Sequence, residues 1–243
     1  MLEIKNLFYK NILKNINFTI EDGSFTLLAG KNGSGKSCLL RCIQGLYKYK
    51  GEVIYHNKDT VTSANSKNWD ITGLVFQDAQ MQIVGQTVAK DLAFGLEMKH
   101  YDKEIIKSKV QETLKSFSIE SLKDRAPSSL SGGEKRKVAI ADIMIMKPKI
   151  LLLDEPFANL DYDGVKNILK LIVSLHKEGH TIFLVTHEIE KVLALADNLI
   201  ILEDGKIIKQ GLVKDLFDKV PWKEVGLRIR GSLEEQSWLE EKP

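Results

Sequence analysis

The sequence predicts an α/β protein built on a mostly parallel core sheet, with an antiparallel flank and an inserted helical lobe. Three observations carry that prediction. "GLVFQD" (73–78), "KILLLDE" (149–155) and "TIFLVTHE" (181–188) are near-continuous apolar runs of strand length, the texture of parallel strands buried on both faces. Each run closes on polar groups: Gln77, Asp154 with Glu155, and His187. In open α/β sheets ligands collect outside the carboxyl ends of the strands, so these ends should converge on one site. Between Gln77 and Ser128 the texture changes to helix, with Ile106, Val110, Leu114 and Phe117 holding one face.

Taken in order, segments 2–9, 15–20 and 51–56 read as short strands of the antiparallel flank. "FTLLAG" is a strand that runs into a glycine loop, and "SCLLRCIQGL" is the helix that follows it. Ile168, Leu169, Ile172 and Leu175 stripe a later helix that Gly179 stops. "LIILEDGKIIKQG" is a hairpin turning at Asp204-Gly205. The expected organisation is a sheet domain over 1–79 and 131–211, a helical lobe over 80–130, and a C-terminal extension over 212–243. The end of that extension, "GSLEEQSWLEEKP", is expected to be peripheral.

Composition narrows the function classes. Of 243 residues, 43% are apolar and 28% charged, ordinary values for a soluble globular chain. Thirty-five basic residues against thirty-three acidic leave +2, too weak a field to gather nucleic acid or anionic lipid, so no nucleic-acid partner is expected. "KRK" at 135–137 is too short to alter that and reads as a solvated helix face. No apolar run approaches the ~18 residues of a membrane span, and "MLEIKNL" is no secretory signal. Cys38 and Cys42, the only two cysteines, are too few for zinc and read as reduced thiols in a cytosolic helix.

The loop "GKNGSGKS" fits G-x-x-x-x-G-K-[ST] through Gly30, Gly35, Lys36 and Ser37, after a strand and at a helix start. Its glycines let the backbone N–H groups around Asn32, Gly33, Ser34 and Cys38 turn toward phosphate oxygens. Lys36 should reach the β- and γ-phosphates, and the Ser37 hydroxyl should ligate Mg²⁺. Asp154 is the matching carboxylate for that ion. Glu155 can orient or deprotonate an attacking water.

A second glycine-rich helix start, "SSLSGGEKRKVAIA" (128–141), has two readings on its own residues. Ser131 with Glu134 is S-x-x-E, a capping box that simply begins a helix. Alternatively the N–H groups at Gly132 and Gly133 form an anion site.

The ordered set "GKNGSGKS", Gln77, "LSGGE", "ILLLDEP", "ANLD" and His187 resembles the nucleotide-binding subunit of an ABC transporter, over about residues 1–211. "VFQDAQMQIVGQTVAKDLAFGLE" (75–97) is further similar to the cobalt and energy-coupling-factor group of vitamin and metal importers. The resemblance implies a P-loop NTPase of the ABC type that binds ATP and Mg²⁺ and pairs, head to tail, with an identical or sibling ATPase. ATP is then gripped by the phosphate loop of one subunit and Ser131, Gly132 and Gly133 of the other. It also implies an integral membrane transport subunit and a peripheral place at the cytoplasmic face of the membrane. A soluble ABC ATPase of translation or DNA metabolism is the competing class. A non-hydrolysing subunit is a third, opposed by Glu155 and His187.

By the same resemblance Gln77 senses Mg²⁺ and water, His187 is the switch histidine that contacts the γ-phosphate, and Asp161 lines the dimer seam. Tyr9, or its neighbour Phe8, is the aromatic expected to stack on adenine, with ordinary core packing the alternative for either. Met81, Ile83, Val84 and Phe94 are either a docking groove for the membrane partner or ordinary core. Three positions depart from the family pattern: Cys38 stands where threonine is usual, Glu134 where glutamine is commoner, and Tyr162 where proline often follows the seam aspartate.

Overall fold

The computed structural model describes residues 1–57, 60–63, 71–229 and 231–239. In chain order the elements are β1 (Leu2–Tyr9), β2 (Leu13–Ile20), β3 (Phe25–Ala29), α1 (Lys36–Ile43), β4 (Lys50–Asn57), β5 (Thr60–Ser63) and β6 (Thr72–Val75). Then come α2 (Val88–Met98), α3 (Lys103–Ser116), α4 (Gly132–Met144), β7 (Ile150–Asp154), α5 (Tyr162–Lys177), β8 (Thr181–Thr186), β9 (Asn198–Glu203) and β10 (Lys206–Leu212).

Two sheets form. One, ordered β2-β1-β4-β5, is antiparallel throughout; the other is ordered β10-β9-β3-β8-β7-β6. Within the second, β9, β3, β8, β7 and β6 run parallel, and only β10 opposes its neighbour. The apolar runs seen in the sequence are its fully buried strands, the central β3, β7 and β8 and the edge strand β6. Their alternate residues serve two cores. Leu27, Leu151, Leu153 and Leu184 pack with the helices, whereas Leu28, Leu152, Phe183 and Val185 pack with α1 and the antiparallel sheet.

Register places the site. Ala29 pairs with Thr186, and Val185 pairs with both Leu28 and Asp154. The carboxyl ends of β3, β7 and β8 therefore lie side by side, with the glycine loop leaving β3 at that edge. At the same end of the sheet, Asp204 and Gly205 both take positive φ, 46° and 76°, the turn that matches the twist of a two-residue hairpin, and the Gly205 N–H donates to the Ser34 carbonyl of the glycine loop at 3.1 Å.

Three expectations need correction. β6 stops at Val75, so Phe76–Asp78 have already left the sheet. The "KRK" run is not uniformly solvated: Arg136 is 4% exposed, turned inward from α4. Nor are residues 231–239 peripheral, because Gln236 is buried and its carbonyl accepts the Ala194 N–H at 3.0 Å; the rest of that segment, 240–243, lies outside the described residues.

Candidate active site at the carboxyl end of the core sheet

The loop from Gly30 to Ser37 owes its shape to glycine at two points. At Gly30 (φ 157°) a Cβ would lie 2.2 Å from the Leu202 carbonyl oxygen. At Gly35, the N-cap of α1, φ is 106° and a Cβ would strike Leu13 at 2.8 Å. No side chain caps α1. Its first N–H groups are thus left for an anion, and the helix dipole favours one there. Asn32 and Gly33 are exposed at the rim; Ser34 is buried, and its Oγ has no partner among the described residues.

Lys36 is buried and donates to the Gly30 and Lys31 carbonyls at 2.8 and 3.0 Å, folding back across its own loop. Burial pulls its pKa down, while the Glu155 and Asp154 carboxylates oppose that shift. Ser37 Oγ donates to Asp154 Oδ1 at 2.8 Å. Asp154 is buried, and desolvation holds its carboxyl above the usual range despite the Ser37 hydrogen bond.

Glu155 follows directly, held at a positive φ of 45° that turns its side chain along the sheet edge. Its Oε2 accepts from Thr186 Oγ1 at 2.8 Å and from the His187 N–H at 3.4 Å. Its Oε1 faces His187 Nδ1 at 2.9 Å. Thr186 also accepts the Glu188 N–H at 3.0 Å, so one hydroxyl fixes the strand end on both sides. Sequence reasoning missed Thr186, although a threonine closing a buried apolar strand was the signal available.

The structure thus gathers the glycine loop, Lys36, Ser37, Asp154, Glu155 and His187 at one edge. Gln77 is exposed and opens onto a cleft of about 690 Å³ shared with Arg41, Tyr47, Met81, Arg136 and Gly132. Ser131, Gly132 and Gly133 line an adjoining hollow of about 480 Å³ with Asn159, Asp161 and Gly164; it shares Gly132 and Asn159 with that cleft, and no glycine-loop residue borders it. Both readings of Ser131 meet there, since it makes a complete capping box with Glu134 at the start of α4. Asp161 caps α5, accepting from Gly164 N–H at 2.8 Å.

Tyr9 offers no open aromatic face. It is 7% exposed, its ring stacks on Tyr47 with centroids 4.9 Å apart, and the Lys10 ammonium lies 5.3 Å from its centroid. Phe8 is exposed but borders a different cleft, with Lys14, Asn17 and Ile208. In the helical region Met81, Val84 and Phe94 are 78%, 65% and 48% exposed, whereas Ile83 packs against the core. The Asp91 carboxylate shapes this surface from below, accepting the Val84 and Gly85 N–H groups at 2.8 and 2.7 Å.

Residues 13–158 match the family model described as ABC transporter. The energy-coupling factor transporter ATP-binding protein EcfA of Pediococcus pentosaceus is 39% identical over 229 residues, covering 90% of this chain and 81% of that protein. Among solved structures, cbiO1 from Clostridium perfringens, described as part of the ABC transporter complex cbiONQ, superposes with a TM-score of 0.79. It shares 36% identity and covers 94% of this chain and 95% of its own. An ATP-binding cassette solved as a dimer in a post-hydrolysis state with ADP and Pi gives a TM-score of 0.75 at 29% identity, over 88% of this chain and 99% of its own.

Proposed function

Since this chain belongs to the ABC transporter family, we propose that it is the ATP-hydrolysing subunit of an energy-coupling-factor importer of vitamins or metal ions. It works as a dimer, on an integral membrane partner, from a peripheral place at the cytoplasmic face. Among the described residues no helix is long and apolar enough to cross a membrane, so the transmembrane path belongs to that partner. The observation that carries this reading is the pairing of Ser37 with Asp154 and of Glu155 with Thr186 and His187, beside a helix start with no side-chain cap.

The uncapped first turn of α1 and the loop N–H groups receive the triphosphate, and the buried Ser34 hydroxyl suits a phosphate oxygen. Lys36 exchanges its two backbone carbonyls for the β- and γ-phosphates. The Ser37 hydroxyl and the desolvated Asp154 carboxylate fit a divalent cation and would hold it, with Gln77 as the further ligand that the family resemblance implies. Mg²⁺ bound there would supply charge neutralisation for the phosphates. Glu155 accepts the proton of the attacking water, and His187 steadies that carboxylate and meets the γ-phosphate. Ser131, Gly132 and Gly133 lie away from this chain's own loop and serve the nucleotide of the second subunit. Met81, Val84 and Phe94 offer the adaptable apolar surface on which a cytoplasmic helix of the membrane partner docks. ATP contacts made only in the closed dimer then drive the movement of the docked helix.

Glu155→Gln tests the chemistry. Phosphate release should fall to background while ATP still binds, and size-exclusion chromatography with Mg-ATP should show an accumulating dimer. Wild-type turnover by this variant would refute the role of Glu155. Co-purification from the native membrane in detergent tests the partner: an integral membrane protein supports the transport reading, and ribosomes would replace it with the soluble one.

A further inference from the structure

Trp238 stands near the end of the described chain, yet it is held on three sides. Its indole meets the Tyr162 ring at 5.1 Å between centroids, with the planes tilted by 38°. The Trp238 backbone N–H donates to the Lys191 carbonyl at 3.2 Å. The Lys191 ammonium lies over the indole, 4.7 Å from the centroid, and also pairs with the Glu188 carboxylate. Lys191 is buried, and an ammonium taken that far from water depends on the partners it finds. A second staple, from Ala194 N–H to the Gln236 carbonyl, fixes the same two segments together.

From Lys191 the contacts run straight into the reaction centre. Glu188 N–H donates to Thr186 Oγ1 at 3.0 Å, and that hydroxyl donates to Glu155 Oε2 at 2.8 Å. His187 sits between Thr186 and Glu188, with Nδ1 on the other oxygen of Glu155. On its far side Trp238 braces Tyr162, the first residue of α5 and the neighbour of the cap Asp161.

We propose that Trp238 is a positioning residue for ATP hydrolysis: by clamping Lys191 it fixes Glu188 and the Thr186–His187 strand end that orients Glu155. The C-terminal extension is thereby part of the catalytic apparatus, although no atom of it need touch nucleotide. This inference rests on the hydrolytic reading of Glu155 given above.

The test measures kcat and KM for ATP on the full chain, by phosphate release, for Trp238→Ala, Trp238→Phe, Lys191→Met and the Ala/Met double variant. Trp238→Ala should lower kcat about tenfold with KM within about twofold, the pattern of lost transition-state positioning rather than lost binding. Phenylalanine keeps a ring face for the ammonium and should restore kcat to within about threefold of wild type. The double variant should be no slower than the slower single one, because both break one chain of contacts. Wild-type kcat in Trp238→Ala, equal losses in Ala and Phe, or independent multiplying losses in the double variant would each overturn the proposal. If Trp238→Ala does not fold, Lys191→Met decides, and a wild-type kcat there overturns it. Glu155→Gln run alongside separates the two ideas. Undiminished turnover in Glu155→Gln refutes the hydrolytic reading, whereas normal turnover in the Trp238 variants alone refutes the clamp.

Discussion

Replacing Arg136 with methionine should loosen the join between α4 and the segment that carries Gln77. The guanidinium donates to the Phe76 carbonyl at 2.6 Å and the Gln77 carbonyl at 2.5 Å, just where β6 has stopped supplying ladder partners. Hydrogen bonds from a charged donor are worth about 1.5–3 kcal/mol each, so the gross loss is about 3–6 kcal/mol. Two effects reduce it. Burial already disfavours the charged arginine, lowering its pKa against the pull of Asp78 and Asp154, and methionine carries no such penalty while keeping the packed stem. The Gln77 residue is exposed, so its freed carbonyl regains water, whereas the half-buried Phe76 does so only in part. The net expectation is about 2–3 kcal/mol of lost stability. Urea unfolding of wild type, Arg136→Met and Arg136→Lys would measure it, with lysine intermediate because one ammonium replaces a two-pronged donor. Turnover should fall with stability, since Gln77 loses its tether while the Ser37–Asp154 pair is untouched. An Arg136→Met chain within about 0.5 kcal/mol of wild type, with unchanged turnover, would refute the reasoning.

Burial, and secondarily the Asp91 carboxylate, push Asp142 up to about 8, against a hydrogen bond from Gln82 and an ordinary value of 3.8. The folded chain then keeps a proton that the unfolded chain releases. Its contribution to stability is full below pH ~4, declines as pH rises toward 8 and is flat above. Asp142→Asn should flatten the fall in melting temperature between pH 5 and 8, and a wild-type protein with no such fall would contradict it. Cys38, half-buried in the first turn of α1, should react with maleimide several-fold more slowly when Mg-ATP is present. Cys42, buried with its thiol raised to about 12 by desolvation, should stay unlabelled; mass spectrometry reads both sites, and equal labelling of Cys38 with and without nucleotide would count against the phosphate loop.

The parts of the site that local chemistry dictates were legible in the sequence. A glycine at positive φ ahead of a lysine, or a carboxylate closing a five-residue apolar strand, declares itself within a few positions. What escaped depends on partners distant in sequence. Arg136 sits in a run of three cations, and only the early end of β6, sixty residues back, turns it from a solvated side chain into a buried clamp. Tyr9 shows the same limit at the scale of one strand. Leu2 and Ile4 face the core, and strict alternation would have turned Phe8 inward as well. Asn6 instead takes φ 48°, and the pairing of β1 with β2 shifts register between Ile4 and Leu7. That bulge reverses the faces, burying Leu7 and Tyr9 and leaving Phe8 outside. Trp238 was opaque for a third reason: it follows polar residues without periodicity, and its value lies wholly in Tyr162 and Lys191.

At the start of α4 the capping box and the proposed phosphate site would share one set of donors. In the free chain Glu134 Oε2 accepts the Ser131 N–H at 2.7 Å, and Ser131 Oγ accepts the Glu134 N–H at 3.3 Å. The Ser131 N–H, with Arg125 at 3.2 Å contributing less, holds the Glu134 carboxyl below its usual range, so the helix start already carries a negative charge of its own. In the proposed dimer a γ-phosphate from the facing subunit approaches donors that this carboxylate partly satisfies. Breaking a cap costs about 0.5–2 kcal/mol, and a charge-assisted bond from N–H to phosphate returns about 1.5–3 kcal/mol. The exchange is favourable by only a small margin for each group. Glutamine at the same place could cap without repelling the phosphate, so Glu134 narrows that margin further, with Arg125 offsetting part of the repulsion. A clamp built this way would close on ATP yet reopen once the γ-phosphate is cleaved, because its own cap is waiting to re-form.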